Sequence, residues 1–311
     1  MNANAVALDA RLGQRWTTPQ RAKNFIIVQL VRICLVFVGI SPRWWLRAFG
    51  RALGALASLI LRNEHRIADE NLRRVFPDLD DAKRNAIIDA MFRNLGSDIG
   101  DAAHAMTSGH FEALEITEND RRILDEARGD AHGVLVVSAH LGPWEQVAAS
   151  IVMAGFPLTT IARESYDPRL TRVYDQLRGR HGVRSIYRGA PSSGIHMMRA
   201  LKRGELLGAV MDLNSRVPSI DSPFLGKIAR TAIGPARLAL RAAARVVVVT
   251  AAPKTSGLLG VTVTAIDTRD LTHGSVGEQV LTERINDELS RRIRALPDRW
   301  VWMHPRFDDE K

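Results

Sequence analysis

A chain of 311 residues with 46% hydrophobic content can bury one large α/β core and still carry a helical extension. Its single cysteine, Cys34, excludes an intramolecular disulfide, and its place inside an apolar stretch argues against a thiol nucleophile and for a reducing, cytoplasmic setting. The formal charge of +9 points to an anionic partner; nucleic acid is the poorest fit, because the basic residues are spread along the chain and aromatics make up only 6%.

Residues 1–23 form a basic tail, in which Arg11, Arg15, Arg21 and Lys23 precede an apolar run over residues 25–40, FIIVQLVRICLVFVGI. That run carries Arg32 near its middle and falls short of the roughly 20 predominantly apolar residues of a clean membrane span. A second apolar stretch, residues 46–61, follows SPRWW, with Arg47 and Arg51 in its first turns. Trp44 and Trp45 between Arg43 and Arg47 have the composition of a membrane interface. Residues 24–61 are therefore read as a membrane-associated helical hairpin in or dipping into one leaflet, with two ordinary core helices as the alternative. A secretory signal peptide is disfavoured, because no small-residue cleavage site follows the apolar run.

Residues 62–107 read as a helical extension: helical periodicity covers 64–76 and 80–106, and Pro77 with Asp78 marks the break between them. Thr107, Ser108 and Gly109 place a boundary near residue 108. Over residues 108–311, apolar runs at 134–139, 158–162, 206–211, 246–252 and 259–266 alternate with helical stretches. That alternation predicts an α/β fold with a mixed, largely parallel central sheet flanked by helices.

The sequence lacks a GxSxG elbow, a GxGxxG loop, a Walker loop and a Cys-x-x-Cys pair, which removes the parts of a serine hydrolase or a nucleotide-binding enzyme. No two histidines sit at short ligand spacing on one element, so neither a metal nor another cofactor is expected. What remains is a histidine followed five residues later by an acid. Chance predicts about one such pair in a chain of this composition. The chain has His65/Glu70, His110/Glu115, His140/Glu145, His273/Glu278 and His304/Asp309. Of these, only His140 ends a continuous apolar run, VLVV at residues 134–137, of the kind buried on both faces of a parallel sheet. The carboxyl end of such a strand is where open α/β sheets place function. Gly142 and Pro143 then prepare a helix, with Pro143 at its first position. Glu145 falls in the first turn, where the helix dipole favours a carboxylate. His140 is the expected base and Glu145 its orienter.

The block SAHLGPWE resembles the His-x-x-x-x-Asp/Glu box of glycerolipid-type acyltransferases, in the form found in bacterial lipid A late acyltransferases and phosphatidylinositol mannoside acyltransferases. Further blocks occur in the order of that family: ENLRRVFPDL at 70–79, IARES at 161–165, the stretch 221–249 and WVWMHPRF at 300–307. The resemblance covers nearly the whole chain. It implies transfer of an acyl chain from acyl carrier protein or acyl-coenzyme A to a hydroxyl of a membrane lipid or glycolipid, lipid A among them, at the cytoplasmic face of the inner membrane. His140 would deprotonate the hydroxyl, and no acyl-enzyme is needed. The alternatives are a catalytically silent, basic membrane-associated protein and an ester hydrolase using the same base.

The resemblance also nominates binding residues. Arg163 and Arg178 match family arginines, and guanidinium groups suit the phosphates of a headgroup or carrier. Glu164 is placed to pair with Arg163 or to meet a sugar hydroxyl. Asp212 lies where the family has an Asp-Gln pair, with Asn214 as the replacement amide. Phe224, Leu225 and Gly226 read as a turn whose N–H groups would serve an oxyanion or a phosphate. Arg230 and Thr231 lead into a helix starting near Ile233, whose N-terminus favours an anion. Trp300, Trp302 and His304 are expected at the sheet edge or at the membrane, without a catalytic role.

Overall fold

The computed structural model describes residue 9 and residues 14–109, 111–129, 133–189, 192–214 and 217–307. Arg11 and most of the basic tail, His110 and Asp309 lie outside the described residues.

Helix α1 spans Thr18–Ile40, α2 Arg43–Ile60, α3 Arg62–Val75 and α4 Asp81–Ser108. The side chain of Gln20 accepts the N–H of Thr17 at the start of α1 (2.9 Å), so this helix begins seven residues before the apolar run. At 23 residues, α1 is long and apolar enough to cross a membrane, and little of its apolar surface is buried. Within residues 24–61, α1 and α2 each pack on α4 and touch one another at their corner, where Phe37 meets the edge of Trp45.

The closeness of α2 to α4 has a sequence cause. Gly50 and Gly54 on α2 face Gly96 and Gly100 on α4, and a Cβ at any of the four would overlap a backbone carbonyl of the opposite helix. Small residues four apart let two helical backbones meet, the device familiar from packed membrane helices. Arg43 and Arg47, which the sequence suggested for a membrane interface, reach across this crossing to the buried Asp101 of α4 (2.9 and 2.7 Å). Helix α4 is closed by its own chemistry. Asp80 caps its start by accepting the N–H of Lys83, and Gly109, at φ 74°, ends it in the left-handed conformation.

Beyond α4 the expected alternation appears: β1 (Glu115–Ile116), α5 (Glu118–Gly129), β2 (Val134–Ser138), α6 (Trp144–Met153), β3 (Leu158–Arg163), α7 (Pro168–Gly179), β4 (Arg184–Arg188), α8 (Ser193–Lys202) and β5 (Leu206–Val210). There follow the hairpin β6 (Ser219–Phe224) and β7 (Lys227–Ala232), then α9 (Gly234–Ala242), β8 (Arg245–Pro253), β9 (Leu259–Ile266) and α10 (Ser275–Ala295). The central sheet runs β1-β9-β8-β2-β5-β3-β4, and only the β8/β9 pair is antiparallel. The fold is thus mixed α/β with a largely parallel sheet, as the apolar runs indicate. Strand β2, with all four residues of VLVV buried, lies at its centre. One face of the sheet is covered by α5 and α6, and the other by α8, α9, α10, α3 and α4. Trp300 and Trp302 are fully buried in the second core, which places them at the sheet rather than at a membrane.

Candidate active site

The register of β2 against its parallel neighbour β5 assembles the site. Ser138 is the Cα partner of Val210, so the chains leaving the two strands carry His140 and Asp212 to the same level. Asp212 is fully buried and accepts three hydrogen bonds. One comes from the backbone N–H of His140 (2.8 Å), one from its Nδ1 (3.0 Å) and one from Nε1 of Trp300 (2.7 Å). A carboxylate that accepts from Nδ1–H fixes the tautomer of the ring, leaving the lone pair of Nε2 available to a substrate. Trp300 is held there because Leu141 forms an isolated bridge with it and Gly142 donates its N–H to the carbonyl of Arg299 (2.9 Å).

Electrostatics follow from this geometry. Burial alone would raise the Asp212 carboxyl, but the charge of His140 and the three hydrogen bonds outweigh it and hold the group below the usual carboxylate range. For His140, burial favours the neutral ring; Asp212, and behind it Glu145, overcome this and raise the imidazole above its ordinary value. Trp144 packs its edge on the ring at 5.0 Å between centroids.

Glu145 does lie in the first turn of α6, although the helix starts at Trp144 and Pro143 is its cap residue rather than its first. Its carboxylate does not hold the histidine. It forms a fork with Arg178 of α7, which donates Nε at 3.1 Å and Nη2 to the second oxygen. The carboxylate hydrogen-bonded to the ring is therefore that of Asp212, and Glu145 stands as a longer-range negative charge near it. Of the other His-to-acid pairs, His273 does approach Glu278 (3.5 Å), but it lies on the surface in contact with Arg241, away from His140.

His140 opens onto a cavity of about 780 Å³ beyond the carboxyl ends of β2, β3, β4 and β5. This volume lies within the range of small-molecule sites. Its deep wall is apolar, with Val136, Val147, Ile151, Leu158 and Val249. Toward solvent it carries Arg163, Arg178, Arg188, Arg237, Tyr174 and Tyr187. The structure therefore brings His140, Glu145, Arg163, Arg178 and Asn214 to one cavity, with Asp212 behind His140.

The remaining sequence nominees lie elsewhere. Glu164 is exposed beside the cavity and does not line it. Leu225 and Gly226, both at positive φ (53° and 79°), form the two-residue tip of the β6/β7 hairpin. The N–H of Leu225 is taken by Oγ of Ser290 (2.7 Å), so it is not offered to a ligand. Phe224 is buried under Arg306, whose guanidinium lies 4.4 Å from the ring centre. Thr231 is buried and accepts from Arg306 (2.8 Å) and Asn286 (3.0 Å), and the carbonyl of Arg230 also accepts from Arg306. Phe224 and Thr231 are thus buried in the packing of the hairpin, whereas Gly226 and the side chain of Arg230 are exposed, and none of the four lines the cavity.

The sequence reading passed over Trp300 as a hydrogen-bond donor, and it passed over Arg188, Arg237 and the two tyrosines. Arg188 gave no signal there, because the strand it closes is short and only half buried. Among the described residues no group of three or more His, Cys, Asp or Glu side chains is arranged to hold a metal ion. The arrangement is a histidine hydrogen-bonded to a buried carboxylate beside an apolar slot. A family model of bacterial lipid A biosynthesis acyltransferases matches residues 17–309, nearly the whole chain. No curated protein matches it.

Proposed function

From the premise that this chain belongs to the bacterial lipid A biosynthesis acyltransferase family, and so transfers an acyl group to a lipid, we propose that it moves a fatty acyl chain from the thioester of acyl carrier protein or coenzyme A to a hydroxyl of a membrane glycolipid, with His140 as general base. The observation that carries this reading is the Trp300–Asp212–His140 chain of hydrogen bonds at the wall of a slot lined by aliphatic side chains. Nε2 of His140 takes the proton of the acceptor hydroxyl as its oxygen bonds to the thioester carbonyl carbon. The tetrahedral intermediate collapses with cleavage of the C–S bond, and the imidazolium returns the proton to the departing sulfur. Asp212 stabilises the imidazolium between these steps. The aliphatic wall offers the acyl chain an environment free of water, which also disfavours hydrolysis of the thioester.

The same reading places the enzyme on the cytoplasmic face of the inner membrane, where both thioester carriers are found. In support, α1 and α2 present a joined apolar surface. On α1, Phe25, Ile33 and Val36 point outward, with Val36 68% exposed. On α2, Trp44 (71% exposed), Phe49, Leu53 and Leu56 do the same. An exposed apolar surface of this extent requires a partner, and a bilayer matches both its length and its tryptophan. Replacing Leu53 and Leu56 together by glutamate is expected to weaken partition of the full chain onto phospholipid vesicles. Flotation reads the effect, and unchanged flotation would remove α2 from the membrane contact.

The acyl-transfer reading is tested by mass spectrometry of total lipids from cells with and without the gene. One glycolipid species is expected to lack a single acyl chain in its absence. An unchanged lipid profile with altered free fatty acid would mark a hydrolase and overturn the reading.

A further inference from the structure

Trp300 reaches Asp212 from a segment that α4 holds. After α10 the chain makes one short 3-10 turn, Pro297–Arg299, and then runs past the carboxyl end of β2, where Leu141 bridges Trp300 and Gly142 donates to the carbonyl of Arg299. On its other side the segment is held by polar side chains of α4. Asn94 donates Nδ2 to the carbonyl and the carboxylate of Asp298 (3.1 and 3.0 Å), and both oxygens of Asp98 lie 3.4 Å from Nη1 of Arg299. Asn94 and Asp98, four residues apart, share one face of the helix. Asp101, a turn further on, takes Arg43 and Arg47 of α2, and the glycine crossing seats α4 against α2. A firmly seated helix thus grips the residue next to Trp300. Asp98 does so at a cost to the fold. Burial raises its carboxyl to about 6, the charge of Asp101 acts in the same direction, and Arg299 and Arg47 pull it back. A carboxyl raised by folding destabilises the folded state as the pH climbs above its ordinary value, and the full cost is present above about 6. An amide would fill the same space without that cost, and a local conflict of this kind points to a use in function.

We propose that Asp98 is a positioning residue for the base: through Arg299 it fixes the segment that presents Nε1 of Trp300 to Asp212, and so fixes the carboxylate that orients His140. The inference rests on the reading of His140 as general base and extends it to a side chain outside the cavity, on another helix. Trp300 is one of the two donors to Oδ2 of Asp212, the other being the backbone of His140. A shift of the indole leaves the carboxylate free to turn, which draws Oδ1 away from Nδ1 of the ring. The base must stand within hydrogen-bond reach of the hydroxyl it serves, and a misplacement of about 1 Å that originates far from the chemistry can cost about 10²-fold in rate. Contiguity from Asp98 to His140 does not by itself demonstrate coupling; a double-mutant cycle does.

The test compares the full-length protein in lipid nanodiscs with its Asp98→Asn and Arg299→Gln variants. The first readout is the Nδ1 proton of His140 in nitrogen-edited proton NMR, identified by its loss in His140→Ala. In both variants this signal is expected to move toward that of an imidazole in water or to broaden by exchange, while the melting transition of Asp98→Asn at neutral pH stays where it was or rises. The second readout is the initial rate with dodecanoyl-coenzyme A and with dodecanoyl acyl carrier protein, total bacterial lipid serving as acceptor. A fall in kcat of about tenfold with KM kept is expected in each variant. In a Trp300→Phe background Asp98→Asn is expected to add nothing, because the link it acts through is already gone. An unmoved His140 signal in Asp98→Asn, or a loss of kcat that adds in full to that of Trp300→Phe, overturns the proposal. Should Trp300→Phe fail to fold, the His140 signal in Asp98→Asn decides alone. That signal needs no turnover, so its outcome is separate from that of the lipid-profile experiment.

Discussion

Replacing His140 by alanine is expected to lower acyl transfer by about 10²–10⁴-fold, the usual contribution of a positioned general base. The loss should fall on kcat more than on KM, since the ring occupies only one point on the cavity wall and the apolar residues that would hold the chain remain. The fold is expected to survive: the histidine side chain is partly exposed, and the backbone N–H that donates to Asp212 is still present in alanine. The altered group is Asp212, whose Oδ1 loses the Nδ1 donor in an otherwise buried setting. A carboxylate with two remaining donors stays satisfied on Oδ2 only, so a modest drop in melting temperature accompanies the loss of activity. The measurement is initial rate against thioester concentration with purified protein in lipid. Full activity in the alanine variant would remove the histidine from the chemistry, whatever its geometry.

Most of the architecture was legible because burial on both faces of a parallel sheet writes itself as continuous apolar runs. The runs at β2, β5, β8 and β9 fall where strands occur. Strand β4 was missed, since RSIYR is short, charged at both ends and only half buried. The turn at Phe224, Leu225 and Gly226 was legible, but the strands on either side, SIDSPF and KIARTA, were not, since polar and charged residues interrupt both and only alternate positions are buried. Within the site, spacing along the chain suggested Glu145 as the partner of His140, because five residues is a distance that a sequence displays. The carboxylate that touches the ring lies 72 residues away. It arrives through strand pairing, two residues beyond the partner of Ser138, and strand order is not written in any single segment. Trp300 closes the same arrangement from the far end of the chain, for the same reason.

The two carboxylates can be told apart by isosteric amides. In Asp212→Asn the side-chain amide can donate to Nδ1, which reverses the tautomer and puts the proton on Nε2, where a base needs its lone pair. The expected fall in kcat is on the order of 10³–10⁴-fold. Residual activity carries a second mark. Asp212 is what raises the imidazole above its ordinary value. With the acid gone, the protonated ring is less favoured, so the acidic limb of the rate profile, where activity rises as His140 loses its proton, should move to lower pH. In Glu145→Gln the ring keeps its hydrogen bond to Asp212, and only the weaker, more distant contribution of Glu145 to His140 is lost. That variant should shift the acidic limb less, and its main effect should come from freeing Arg178 from its fork. Arg178→Gln should reproduce that effect if Glu145 acts through the arginine. Profiles of kcat against pH for the three variants separate the roles. A larger displacement of the limb in Glu145→Gln than in Asp212→Asn would return the orienting role to the glutamate, and would require a geometry in the substrate complex different from the one described.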